Sequence, residues 1–317
     1  MKTAIMTDTN SGISVEEGAS LGVYVIPMPI LIDGETRYEG VTLTYEEFYR
    51  SQKAGRAIST SQPAPGDVMA LWDRALEECD ELVYIPMSSG LSASCHAAMG
   101  LSEDYGGRVQ VVDNHRISVT QRSAVMDAVA LARAGCSAAE IKAELERMAL
   151  DSVIYIGVDT LEYLKRGGRI TPAAAAMGSI LHLKPLLKIE GERLDACATV
   201  RGREACKHRL LDVMERSVEE FHRRDWPVCI GAAGSFLTQE EGEAWLALAA
   251  ETFPGEEIRY DPLAFSVGCH TGPGAFGMAV SRRVKLELNE SRADEGQPEL
   301  FKSHAVAGKE PAQGEGK

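Results

Sequence analysis

The sequence predicts an α/β protein whose N-terminal part is built on a parallel, doubly wound sheet. Apolar strand-like runs alternate with helix-type segments from residue 1 to about residue 150, the pattern of βαβ units with right-handed crossovers. Several helix-type segments also open on capping residues, which fixes where the helices start. A third observation concerns ligands. In Glu81–Ala98, ELVYIPMSSGLSASCHAA, a strand-like run Leu82–Met87 breaks at Ser88-Ser89-Gly90 and continues as small, helix-compatible residues from Leu91. The carboxyl end of a strand meeting a helix N-terminus collects anions, because unpaired N–H groups and the helix dipole point there. Ser88, Ser89, Ser92 and Ser94 line the stretch, which holds no Lys or Arg. Hydroxyl donors without formal positive charge suit a carboxylate better than a polyphosphate.

Taken in order, Lys2–Thr7 is a short strand ending in the polar turn Asp8-Thr9-Asn10-Ser11-Gly12. Val15–Leu21 is a brief helix and Gly22–Met28 a second strand. Ile30–Asp33 and Thr36–Glu39 form a hairpin turning at Asp33-Gly34, a good two-residue turn pair. Thr44 and Glu47 make a capping box for a helix to about Lys53. Pro63 and Pro65 hold Ser59–Asp67 extended, as a loop presenting Ser59, Thr60, Ser61 and Gln62. Val68, Leu71, Trp72, Ala75 and Leu76 then fall at helical spacing, so Val68–Cys79 is an amphipathic helix. Arg108–Asp113 is a buried-type strand, Ile117–Ala134 a helix, and Ser137 with Glu140 caps another.

The second half opens with the strand Val153–Val158, followed by Thr160–Arg166 and a Gly167-Gly168 break. Thr171-Pro172 starts a helix with Pro at its first position. Lys184–Ile189 and Arg193–Val200 make a hairpin around Gly191-Glu192. Helices Glu204–Arg223 and Thr238–Thr252 alternate with strands Pro227–Ala233 and Glu256–Tyr260. Phe265–Cys269 reads as a further strand, running into His270-Thr271-Gly272-Pro273-Gly274. Past Asn289 the chain is polar and poor in apolar residues, which predicts a disordered tail.

Composition narrows the function. Of 317 residues, 44% are hydrophobic and 25% charged, which are ordinary globular values, but the formal charge is −14. Nucleic acid and anionic membrane surfaces attract basic proteins, so the charge argues against both as partners. No apolar run approaches the roughly 20 residues a membrane span needs. The N-terminal segment reaches Asp8 too early for a signal peptide, so a cytoplasmic protein is expected. Seven scattered cysteines without a C-x-x-C pair read as buried thiols, and the histidines show no metal-ligand spacing with them, so no metal is expected.

Three loops carry hydroxyls or histidine: Ser59–Gln62, Ser88–Ser94 and His270–Gly274. Each alone reads as an ordinary turn. Together they make a ligand site only if the fold brings them to one place. A rival reading is a serine hydrolase, with Ser92 in Gly90-Leu91-Ser92-Ala93-Ser94 as nucleophile and His270 downstream as base. Asp151, Asp159 and Asp261 then all qualify as the acid. Against it, Ser94 stands where the elbow needs a final glycine, and no HGGG-type oxyanion segment precedes it. Lys165-Arg166-Gly167-Gly168-Arg169 is a cationic loop in an acidic chain. A helix C-cap explains Lys165, Arg166 and Gly167 but leaves Gly168 and Arg169 available for docking or a phosphate. Walker and Rossmann glycine loops are absent, which argues against nucleotide binding by this chain.

Four motifs, in this order, resemble the DegV family: Thr60-Ser61-Gln62-Pro63, Ser88-Ser89-Gly90-Leu91-Ser92, the stretch DTLEYLKRGGRI from Asp159 to Ile170, and His270-Thr271-Gly272-Pro273-Gly274-Ala275. The similarity runs from about Lys2 to Val284. DegV proteins are bacterial fatty-acid-binding proteins, and some are the acyl-presenting subunit of fatty acid kinase, whose separate kinase chain phosphorylates the bound carboxylate. The resemblance implies an N-terminal α/β domain over 1–152 and a C-terminal α/β domain with a mixed sheet over 153–288, with 289–317 as the polar tail. It implies a long-chain fatty acid such as palmitate buried between or beneath the domains, no catalysis by this chain and no cofactor. Thr60 and Ser92 would hold the carboxylate with His270 close by. Ala93 would help through its backbone, Ser61, Ser89 and Thr271 are secondary candidates, and Arg169 is a candidate kinase contact. Ala93-Ser94-Cys95-His96 departs from the family's usual Gly-Thr-Tyr-Gln, which leaves preferences for chain length and unsaturation open. Burying ~15 methylenes at about 0.8 kcal/mol each gives roughly 12 kcal/mol of gross transfer, so the head group need contribute little.

Overall fold

Alternation at period two shows how the N-terminal strands are buried. Ile5, Val83 and Ile85 face one apolar layer, while Ala4, Met6, Leu82 and Tyr84 face another. A strand with two buried faces needs helices on both sides, the setting of a parallel sheet. The computed structural model describes residues 2–177 and 183–285, and supplies those layers. The expected polar tail lies outside the described residues. The chain runs β1 (Thr3–Asp8), a 3-10 turn Thr9–Ser11, α1 (Val15–Leu21), β2 (Val23–Ile26), β3 (Pro29–Ile32), β4 (Glu35–Tyr38), α2 (Tyr45–Lys53) and β5 (Ile58–Thr60). There follow α3 (Pro65–Glu78), β6 (Glu81–Ile85), α4 (Ser94–Ser102), β7 (Val109–Val111), α5 (Ser118–Arg133) and α6 (Ala138–Arg147).

Strands β2-β1-β6-β7 form the first sheet, and every pair in it is parallel. Helices α3 and α4 cover one face through Val68, Trp72, Ala75, Cys95 and Ala98. Helices α5 and α6 cover the other through Val125, Ala128, Ile141 and Leu145. The sheet is therefore doubly wound, as the sequence predicts. Both capping boxes form: Thr44 with Glu47 starts α2, and Ser137 with Glu140 starts α6.

From residue 152 the sheet is mixed. The elements are β8 (Ser152–Gly157), α7 (Glu162–Gly167), α8 (Pro172–Ala176), β9 (Leu183–Ile189), β10 (Asp195–Arg201), α9 (Arg203–Arg223) and β11 (Val228–Gly234). They continue with α10 (Gln239–Thr252), β12 (Ile258–Pro262), α11 (Phe265–Thr271) and β13 (Phe276–Arg282). The strand order is β10-β9-β8-β13-β11-β12, with β11 and β12 parallel and the other neighbours antiparallel. Helices α9 and α10 cover one face through Leu210, Met214, Phe221 and Trp245, which pack on Phe276, Met278 and Val280. The other face packs against Leu91, Ile117 and Val119 of the preceding part, making a shared apolar seam with Ile156, Leu187 and Ala279. The approach is close at Gly231, where a Cβ would stand 2.7 Å from Val119 Cβ.

The structure differs from expectation in three places. Phe265–Cys269 is the helix α11, not a strand. Its short alternating run satisfies either period, and tertiary packing decides: the Phe265 ring stacks on Phe48, centroids 4.9 Å apart, while Gly268 lies against Phe48 and Tyr49. Ser59–Asp67 is not all loop. Ile58–Thr60 adds a third strand to the β3–β4 hairpin, with Thr60 opposite Ile30, and α3 already begins at Pro65, where a missing N–H costs nothing. The helix expected from Leu91 starts instead at Ser94. The N–H groups of Leu91 and Ser92 both turn back to Ser88 O, at 3.0 and 3.1 Å, forming a tight turn before it.

Candidate functional site

The three loops meet. Thr60, Ser61 and Gln62 from the end of β5, Leu91, Ser92 and Ala93 from the turn before α4, and Val267, His270 and Thr271 from α11 line one cavity of about 270 Å³. Its remaining walls are largely aliphatic, including Ile117, Val119, Ile156, Leu164, Ile189 and Leu263. A largely aliphatic cavity with a minority of polar groups on its walls matches an amphiphile with a small head and an apolar tail.

Each polar group is held by its local structure. Thr60 Oγ1 lies 3.2 Å from His270 Nε2, joining β5 to α11 across 210 positions of sequence. The Ser92 hydroxyl donates to Ser94 Oγ at 3.0 Å and accepts from Ser94 N at 3.2 Å. That places Ser92 at the N-terminus of α4, where an incoming carboxylate can accept the hydrogen bond its hydroxyl now gives Ser94. Ser88 serves the frame: its hydroxyl donates to Gly191 O at 2.6 Å and accepts from Gly90 N at 3.1 Å. Gly90 has no room for a side chain, since a Cβ there would stand 2.9 Å from Glu192 Cα. Ser89 sits outside the cavity, with its N–H on Asp113 Oδ1 at 3.2 Å, and lines a neighbouring surface depression.

His270 is mostly buried, and its Nδ1 side rests on Gly167, where any Cβ would collide with the ring. Burial, with the Arg169 cation adding to it, pushes the His270 pKa down to about 4. The imidazole is therefore neutral at pH 7 and orients a ligand without adding charge. The cation absent from Glu81–Ala98 arrives from elsewhere. Gly168, in the left-handed conformation at φ 68°, caps α7 and turns the chain back. Arg169 then donates from Nε to Leu91 O at 3.2 Å and from Nη1 to Gly167 O, and lines the cavity. The sequence leaves Arg169 over from the helix cap for docking or a phosphate, and nothing local in it predicts that the side chain lines the cavity.

Other wall residues were also missed. Asn10 is buried on the cavity wall with its Nδ2 unpartnered, and its Oδ1 accepts from the Ser266 hydroxyl. The signal was the polar turn after the first strand, a strand end like that of β6. Cys95 and His96, two of the residues that depart from the family's usual run, do not line the cavity. Cys95 is buried in the core beneath α4, and His96 is on the outer surface.

The hydrolase arrangement does not assemble. Ser92 bonds Ser94, while His270 Nε2 faces Thr60 and its other edge faces Gly167. The three candidate acids are engaged elsewhere: Asp151 with Arg282, Asp159 with Lys184 and Arg203, Asp261 with Arg122 and Arg259. Among the described residues no group of His, Cys, Asp and Glu is placed to hold a metal ion, and no helix is long and apolar enough to cross a membrane.

A family model described as "Uncharacterised protein, DegV family" matches residues 2–283. The chain belongs to the DegV family. A DegV domain-containing protein of Deinococcus radiodurans is 34% identical over 284 residues, covering 88% of this chain and 98% of the relative. Among solved structures, a DegV family protein of Thermus thermophilus described as fatty acid binding superposes with a TM-score of 0.79 at 30% identity. It covers 89% of this chain and 100% of its own. DegV of Bacillus subtilis, described as a fatty acid binding protein, gives a TM-score of 0.77 at 25% identity, covering 89% of this chain and 100% of its own. The doubly wound sheet and the mixed sheet are thus those of the DegV fold.

Proposed function

We propose that this DegV protein binds one long-chain fatty acid, such as palmitate, and presents its carboxylate to a separate kinase chain. The tail would lie in the aliphatic part of the cavity, between the parts formed by 1–152 and 153–288. The carboxylate would rest on Thr60, Ser92 and the neutral His270, with the backbone at Ala93, and Ser61 and Thr271 nearby. The observation that carries this reading is the convergence of three sequence-distant polar loops on one largely apolar cavity. The description of two structural relatives as fatty acid binding supports it. A buried tail also satisfies the need to keep a large apolar surface from water.

In the kinase step, a carboxylate oxygen attacks the γ-phosphorus of ATP. A new C–O–P linkage forms, the γ-phosphorus bond to the bridging oxygen breaks, and ADP leaves with that electron pair. The fatty acid ends as an acyl phosphate carrying one more negative charge than the carboxylate. Arg169, which reaches the cavity and two surface depressions, is the proposed contact with the kinase. Seven free thiols suit the reducing cytoplasm.

Native mass spectrometry, or extraction followed by gas chromatography, tests the central claim. A long-chain acid is expected with the purified protein or after reloading delipidated protein; absence in both sinks it. Thr60→Ala and Ser92→Ala should each weaken retention by about 1–3 kcal/mol, the cost of a lost hydrogen bond to a charged group. Unchanged retention in both would move the carboxylate elsewhere.

A further inference from the structure

The cavity has an outer neighbour. Thr60, Arg169 and His270 line it on one side and, on the other, line a polar basin of about 330 Å³ open to the surface. Beyond these shared residues the basin is walled by Arg56, Ser59, Tyr163 and Arg166 among others, and among the described residues no Asp or Glu lines it. In a chain of formal charge −14, Arg166 and Arg169 at one concave site, with Arg56 beside them paired to Asp33, leave a local excess of positive charge. Arg166 is exposed and makes no ion pair among the described residues, its guanidinium standing 5.3 Å from the Tyr163 ring centroid. Arg56 spends its Nε on Asp33 at 2.6 Å, yet its side chain remains about half exposed.

We propose that this basin is an anion site for the phosphoryl group of an acyl phosphate, with Arg56 and Arg166 as its ligands beyond the carboxylate position. The inference rests on the fatty-acid reading above and adds to it where the second charge goes. An acyl group anchored at Thr60 and His270 projects its head past the described residues that the two spaces share, so a phosphoryl group added to the carboxylate emerges into the basin. Arginine suits this position because its planar fork takes two phosphate oxygens at once, and because it remains charged when partly desolvated. A single carboxylate does not reach so far and gains little from either side chain. The basin therefore discriminates product from substrate, holding the acyl phosphate until another protein takes it.

Hexadecyl phosphate is a stable probe: it puts phosphorus where palmitoyl phosphate would, with a methylene replacing the carbonyl. Its affinity is compared with that of palmitate, by calorimetry on delipidated full-length protein at low and moderate salt. Arg166→Ala, and more so Arg56→Ala with Arg166→Ala, should lose roughly tenfold or more in hexadecyl phosphate affinity, the scale of one or two charge-assisted hydrogen bonds. Palmitate affinity should stay within about twofold, Arg166→Lys should recover part of the loss, and the loss should be larger at low salt. Arg193→Ala, in the depression on the other side of Arg169, should change neither ligand. Equal losses for both ligands, no loss in either arginine variant, or a phosphate-specific loss in Arg193→Ala alone would each overturn the basin. Failure of the unaltered protein to bind palmitate would overturn the fatty-acid reading, and this one with it.

Discussion

Gly167 and His270 show how one missing methyl can position a ligand group. The imidazole lies so close to Gly167 that alanine there cannot coexist with the observed ring position. Gly167→Ala should push His270 off Thr60 Oγ1, its partner at 3.2 Å, while leaving the helix α7 intact, since alanine is the better helix former. The expected outcome is a roughly tenfold loss of fatty-acid retention with little change in melting temperature, on the scale of one hydrogen bond. Undiminished retention would show that His270 does not help to hold the head group. At this scale the sequence was informative about residue types and silent about proximity. It marked Thr60, Ser92 and His270 as chemistry-bearing, but nothing local says that positions 60 and 270 touch.

Helix α11 carries the site and is held by a carboxyl from the other end of the chain. Glu39 Oε1 accepts from Phe265 N, at the start of α11, at 2.8 Å, and Oε2 accepts from Thr9 Oγ1 at 2.7 Å. Burial pushes the Glu39 pKa up to about 7, partly offset by those two hydrogen bonds and reinforced by Asp8. A pKa raised from 4.5 means that the folded state holds a proton the unfolded state has released. The resulting stabilisation is complete below about pH 4.5 and is lost as pH rises through about 7. Glu39→Gln, which has no proton to lose, should therefore flatten the thermal stability between pH 5 and pH 8 relative to the unaltered protein. Parallel pH profiles for the two proteins would contradict this role for Glu39. The same element was misread as a strand from its sequence, because five residues of F-S-V-G-C satisfy both periods. The stacking on Phe48 and the Glu39 contact that settle the matter are long-range.

At the scale of the whole molecule, the cavity exists because two sheet systems close on a seam without filling it. Leu91, Ile117 and Val119 from the first part meet Ile156, Leu187 and Ala279 from the second. Gly231 permits that approach: a Cβ there would lie 2.7 Å from Val119 Cβ, inside ordinary contact distance. Gly231→Ala should thus cost about 1–3 kcal/mol, the usual penalty for overpacking, despite alanine being the better residue for an isolated strand. A differential scanning measurement showing equal or higher stability would mean that the seam can yield. Fatty-acid binding should weaken in the same variant, since the seam and the cavity share Ile156, Val119 and Leu91 as walls.

By itself the sequence determined the secondary elements wherever a local rule operates. Thr44 with Glu47 and Ser137 with Glu140 start their helices as expected, and the strands β1, β6 and β8 lie where their apolar runs do. It also marked the polar loops and, through its ordered motifs, the family. Capping, turn chemistry and hydrophobic period act over a few residues, so a reader of the chain can apply them directly. Tertiary structure alone decided that three loops share one cavity, that Ser89 falls outside it, and that Arg169 turns inward after the left-handed Gly168. These depend on crossovers and packing between residues as far apart as Thr60 and His270, where no local preference carries information.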